Sequence, residues 1–329
     1  MDLSTRYLGL SLKHPVVASA SPLSRTADGV RRLEDAGAAA VVMASIYEEE
    51  IAAEDVAYSM LIERGSYAQP EAAGYFPQLH GYSGSLGSHL EAVRRAADAV
   101  DIPVIASLNG STREGWVEFA RELEEAGASA IELNIYRVPA DANETGEAVE
   151  RGYVEIVRAV RQVVRLPVSV KLGPYFSSPG HMAKKLVDAG ADGLILFNRF
   201  YEPDIDLATL SLRADLNLSN PYEIRLPLMW IALLHGKVGA SLAATTGVDG
   251  PGEAVKYLLA GADIVMTASA LLRHGPTYIG VLASGIEAWL TERGFASVGE
   301  ARGRLSGHRL ANPEAMVRAQ YIKILTGHR

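Results

Sequence analysis

Four copies of one short phrase constrain this chain more than any other feature of it. They are EDAGAAAVVM at 34–43, EEAGASAIELN at 124–134, VDAGADGLILFN at 187–198 and LAGADIVMTAS at 259–269. Each reads as a helix C-terminus whose glycine takes a left-handed cap, followed by a tight turn and a buried strand. A phrase repeated in that order points to a βα unit. The other apolar, β-branched runs are Pro15–Ser19, Ile102–Ser107, Pro167–Lys171 and Val238–Ala244, which brings the strands to eight. Eight strands alternating with helical segments predict an α/β fold, a closed (β/α)8 TIM barrel with a parallel sheet.

Helices are predicted at about 27–36, 83–100, 113–126, 147–163, 178–189, 221–235, 250–260 and 277–293, with Thr112 and Ser178 as N-caps for two of them. Two connections exceed the usual βα loop, 45–82 after the second strand and 199–220 after the sixth, and insertions on that face build lids or walls. The first dozen residues are expected to form a hairpin closing the lower end of a barrel that runs over 1–294. Residues 295–329 read as a C-terminal extension without a core of its own.

At 329 residues and 48% hydrophobic, the chain can bury a core of barrel size. It has no cysteine, which removes disulfides, thiolate metal sites, iron–sulfur ligands and a cysteine nucleophile or acid. A net charge of -8 gives no global footprint for nucleic acid. The N-terminus lacks a basic leader with a long apolar core, so a cytoplasmic protein without membrane attachment is expected. The eight histidines show no metal-binding spacing and read mostly as surface or helix-end residues; no metal site is expected.

Barrel chemistry gathers at the carboxyl ends of the strands. In chain order these ends carry Ser19 and Ala20, then Ala44 and Ser45, then Ser107 to Gly110 with Asn109 among them. Asn134 with Tyr136 and Arg137 follow, then Lys171, then Asn198 with Arg199. The seventh and eighth ends carry Thr245 to Val248 and Thr267 to Ser269. Lys171 is conspicuous because it closes a run that otherwise reads as fully buried strand. Such a lysine either faces an anion or carries its ammonium out to water. Amides and cations in the middle, with small residues at either side, suit a flat polar cofactor lying across the mouth. Gly247 and the end of the eighth strand stand where barrels often hold a phosphate. No GxGxxG follows the first strand, which argues against a Rossmann dinucleotide site. Glu48, Glu49 and Glu50 lie near the mouth too, and three adjacent carboxylates more often open a solvated helix.

Taken together, these residues resemble the flavin-dependent dihydroorotate dehydrogenases from Leu8 to about Gly294. The resemblance is carried by PVVASA at 15–20, ELNI at 132–135, VSVKLGPYF at 168–176, DGLILFN at 192–198 and the segments around Gly247 and Thr267. NIYRVPAD at 134–141, LFNRFYEPDIDL at 196–207 and SALLRHGP at 269–276 are similar to a divergent, dihydroorotate dehydrogenase-like branch. The resemblance implies an FMN-binding barrel. In it Lys171 contacts the pyrimidine edge of the flavin, and Asn134 and Asn198 line flavin and substrate. Gly247, Val248, Thr267, Ala268 and Ser269 cradle the phosphate, and Ser19 and Ala20 flank the ring. Beyond what the resemblance itself implies, Asn109, Arg137 and Arg199 are read with the asparagines as contacts for a small anionic substrate, the arginines through its carboxylate. The implied reaction oxidises dihydroorotate to orotate, in pyrimidine biosynthesis, or acts on a related CH–CH or C=C compound.

Two positions depart from the family. Its Cys or Ser base, three residues after the asparagine matched by Asn134, is Arg137 here, and a guanidinium cannot accept a proton. The neighbouring Tyr136 would act as base only if its phenol were brought far below the usual value of about 10. The family's lysine on the second strand is Ala44 here. Two other readings therefore stand beside the first. One is a flavin-binding subunit or partner protein without turnover of its own, and the other is a flavin-free lyase using Lys171 as a Schiff-base nucleophile. The electron acceptor is not legible, and a homodimer is expected only because related barrels often dimerise.

Overall fold

The computed structural model describes residues 1–51, 85–110, 112–200, 202–213, 217–308 and 312–327. Most of the long connection after the second strand lies outside them. A hairpin of β1 (Thr5–Tyr7) and β2 (Leu10–Leu12) precedes eight parallel strands. These are β3 (Val16–Ala18), β4 (Val41–Val42), β6 (Val104–Asn109) and β7 (Ala130–Asn134), then β8 (Val168–Leu172), β9 (Gly193–Leu196), β12 (Ser241–Ala244) and β13 (Ile264–Thr267). Each pairs with the next, and β13 returns to β3 through Val265↔Val16, so the barrel is closed. The short β5 (Ile46–Tyr47) extends the second strand's path and pairs on the end of β6.

The four repeated phrases build one device four times. Gly37, Gly127, Gly190 and Gly261 take φ of 99°, 92°, 109° and 121°, a region that side chains with a Cβ avoid. In each case the amide after the glycine reaches back five residues. Ala38 donates to Leu33, Ala128 to Leu123, Ala191 to Leu186 and Ala262 to Tyr257, the bond that closes a Schellman cap. A carboxylate of each phrase then ties the start of another strand. Glu34 accepts from the amides of Asp101 and Ile102, and Glu124 from those of Arg165 and Leu166. Asp192 and Asp263 accept from the amides of Val168 and Leu242.

Helices fall at Ala27–Asp35, Ser85–Ala99, Arg113–Glu125, Gly146–Arg161, Pro179–Asp188, Arg225–Leu234, Pro251–Ala260 and Tyr278–Glu292, within about two residues of expectation apart from the sixth, which begins four residues late after a 3-10 turn. Thr112 caps its helix by accepting from the Gly115 amide. Ser178 stands at a cap position without a capping bond, and Pro179 opens that helix with its fixed φ instead. The insertion after β9 adds an exposed hairpin, β10 (Asp204–Asp206) with β11 (Ser211–Arg213), that periodicity did not reveal.

The lower end of the barrel is filled by Tyr7, Leu8 and Leu12 of the first hairpin, packed on Val17, Ile105, Ile195 and Met266. Val298 and Ala301, in a short helix of the C-terminal extension (Val298–Ala301), belong to the main core, while Val317, Tyr321 and Ile324 of its last helix, Pro313–Leu325, are exposed. Not all histidines are peripheral. His14 is buried, with Nε2 2.7 Å from the Gly37 carbonyl and Nδ1 accepting from the Val16 amide, so it braces the first cap against β3. No described helix is long and apolar enough to cross a membrane.

Candidate functional site

Alternation along the strands decides which side chains enter the mouth. On β7, Glu132 and Asn134 share a face, and in register beside them on β8 stand Ser169 and Lys171. Lys171 keeps only 10% of its side chain exposed, with Nζ 3.8 Å from Oε1 of the fully buried Glu132. The Ser107 hydroxyl donates to that same oxygen at 3.1 Å and lies 2.8 Å from the Ser45 hydroxyl. Asn134 donates to Ser45 at 3.4 Å and accepts from Asn198 at 2.7 Å. One polar chain thus runs from β9 through β7 and β6 to Lys171.

The loop after β12 forms the opposite wall. Thr246 and Gly247 have φ of 75° and 73°, so two successive left-handed residues turn the backbone sharply. The turn is clamped from several sides. Thr246 Oγ1 donates to the Phe197 carbonyl, Tyr257 donates to the Thr246 carbonyl at 2.8 Å, and Thr267 Oγ1 donates to the Val248 carbonyl. Ser219 returns from the insertion to bridge it. Its hydroxyl accepts from the Gly247 amide and donates to Ser269 at 3.0 Å, while Arg273, ion-paired with Asp249, donates to its carbonyl.

Ser19, Ala20, Lys171, Asn198 and Arg199 line one cleft together with Gly247, Val248, Thr267, Ala268 and Ser269. Asn134 joins it through Asn198, and Asn109 is buried at the end of β6, opposite Tyr47. Other expected residues lie apart. Arg137 pairs with Glu144 and lies over the helix at Gly152, where an added Cβ would sit 3.2 Å from Nη1. Tyr136 is 37% exposed and packs on Phe200 with ring centres 4.7 Å apart. Arg199, by contrast, does line the cleft, and there it is ion-paired with Glu223 at 2.9 Å. Glu48 accepts from the Thr112 amide and hydroxyl, so it braces a helix start. Burial pushes the Tyr47 phenol up, aided by the negative charge of Glu50 and by Tyr136 and Glu132.

Sequence reasoning missed Glu132 and Ser219 as parts of this site. Glu132 left a signal, an acidic residue inside an apolar strand run; Ser219 left none. Among the described residues, no group of three or more acidic or imidazole ligands could hold a metal ion. The donor set fits a polar, anionic ligand: the Lys171 ammonium and two carboxamides at one end, the ion-paired Arg199 in the wall, hydroxyls and a preformed backbone turn at the other end, and small residues between.

Fold and cleft define a (β/α)8 barrel protein with its site at the carboxyl ends of the strands. Residues 78–290 match the family model of dihydroorotate dehydrogenase. The putative dihydroorotate dehydrogenase A (fumarate) of Aeropyrum pernix is 30% identical over 313 residues, covering 90% of this chain and 95% of that one. Catalytic subunits of dihydroorotate dehydrogenase B (NAD(+)) are similar as well. That of Methanothermobacter thermautotrophicus is 27% identical over 92% of this chain and 97% of its own, and that of Pyrococcus abyssi 28% over 92% and 98%. The chain belongs to the dihydroorotate dehydrogenase family.

Proposed function

We propose that the protein is an FMN-dependent oxidoreductase acting on a CH–CH or C=C bond of a small anionic ring compound, with dihydroorotate as the first substrate to test. The observation that carries this reading is the single cleft joining Lys171 and Asn198, with Asn134 hydrogen-bonded behind it, to the Gly247 turn. Bound FMN would supply hydride chemistry, and the protein would orient and tune it. Lys171 would face the pyrimidine edge, the two asparagines would read ring and substrate amides, and the turns at Gly247–Val248 and Thr267–Ser269 would hold the phosphate. Arg199 stands at the cleft edge as an anion contact, and Arg137 would reach a substrate by exchanging Glu144 for the substrate's carboxylate. The lyase reading is the weaker one, because the family to which the chain belongs is one of dehydrogenases.

The test is anaerobic titration of purified, FMN-containing protein with dihydroorotate. Loss of the visible flavin bands, reversed by orotate, is the expected outcome. A protein bleached by dithionite but not by dihydroorotate overturns the narrow substrate and leaves a flavoprotein acting on another compound. A colourless protein that does not take up FMN overturns the whole reading.

A further inference from the structure

A carboxylate with no exposure inside a barrel is costly unless paired and hydrogen-bonded on both oxygens. Glu132 meets half of that requirement. Its Oε1 takes the Ser107 hydroxyl at 3.1 Å and faces the Lys171 ammonium at 3.8 Å, while Oε2 is buried with no partner among the described residues. Packing does not explain such a residue. Ile131 and Leu133, its neighbours on β7, are buried on the strand's other face, and at 132 an apolar side chain would remove the cost.

Its place in the strand registers suggests a purpose. Glu132 lies one inward-facing layer below Asn134, and Asn134 is in register with Lys171. The carboxylate therefore sits beneath the lysine, on the side away from the cleft, and balances its charge from below. It also ends the polar chain that reaches the cleft through Ser107, Ser45, Asn134 and Asn198. We infer that Glu132 is a positioning residue for Lys171. It aims the ammonium at the cleft and sets how much net positive charge the lysine presents to a ring bound there. The inference rests on the flavin reading for what occupies the cleft, but the Glu132–Lys171 pair itself is a property of this chain.

Two measurements test it. The first uses the FMN-loaded protein and sulfite, whose sulfur lone pair bonds to flavin N5 while negative charge moves to the pyrimidine edge. Glu132→Gln preserves shape and removes the counter-charge, so sulfite should bind about tenfold more tightly than in the unaltered protein. Glu132→Asp should restore most of the original affinity. In a Lys171→Met background, Glu132→Gln should change little. Equal sulfite affinity in Glu132→Gln and the unaltered protein overturns the inference, as does an equally large effect when Lys171 is absent. The second measurement needs no flavin: the rate at which acetic anhydride modifies Lys171, read by peptide mass spectrometry. That rate should rise at least about threefold in Glu132→Gln, since the amine loses its partner. An unchanged rate overturns the pair. Failure to bind FMN counts against the proposed function alone, because the acetylation rate still decides the role of Glu132.

Discussion

Gly247 shows how one position can carry both a fold and a site. Its φ of 73° favours glycine, and an added Cβ would stand 2.6 Å from Cγ2 of Ile224 and 2.8 Å from the Asn220 carbonyl. Neither contact can relax cheaply, since one atom is backbone and the other belongs to a buried side chain. Gly247→Ala is therefore expected to lose about 1–3 kcal/mol of unfolding free energy, measured by urea titration, and, on the proposed flavin reading, to weaken FMN retention in the same protein. An unshifted urea midpoint would show that the turn relaxes without cost. At this scale the sequence was readable wherever a polar residue closes an apolar strand. Lys171, Asn134 and Asn198 stand out for that reason. Glu132 was readable by the same rule but lies one layer deeper, where a strand-end survey does not look. Ser219 was not readable at all, because its partners Gly247 and Ser269 are 28 and 50 residues away.

The four helix-to-strand phrases were legible because a Schellman cap is local: six consecutive residues hold the bond, and the glycine marks it. Their second role was not. Glu34 and Glu124 each bind two amides at the start of a different strand, a contact that exists only once the barrel has closed. Glu124→Ala leaves the amides of Arg165 and Leu166 without their acceptor, and a loss of about 1–3 kcal/mol is expected in thermal or urea unfolding. Glu124→Gln, which keeps an acceptor oxygen at the same reach, should recover most of it. Equal losses in both variants would mean that the charge matters more than the hydrogen bonds. The hairpin at Asp204–Asp206 and Ser211–Arg213 escaped prediction because its strands are short and face water, so no burial period is written into them.

Closure of the whole barrel leaves an apolar floor that the first hairpin must cover. Leu12 is 3% exposed there, packed with Tyr7 and Leu8 against the lower strand residues. Leu12→Ala is expected to cost about 2–5 kcal/mol, by lost burial plus the cavity left behind, while the cleft at the opposite end keeps its geometry. On the proposed flavin reading, visible spectra that match those of the unaltered protein, alongside a lowered unfolding midpoint, would separate floor from site. The sequence alone determined the eight barrel strands, the approximate positions of the eight helices between them and which residues end those strands, because periodicity and capping are short-range and each repeat spells them out. Only the tertiary structure decided which polar groups meet. Glu132 beneath Lys171, Ser219 against Gly247, and Arg137 with Glu144 over the helix at Gly152 all follow from strand register and loop return. Those distances are set by barrel closure, which no local stretch of the chain encodes.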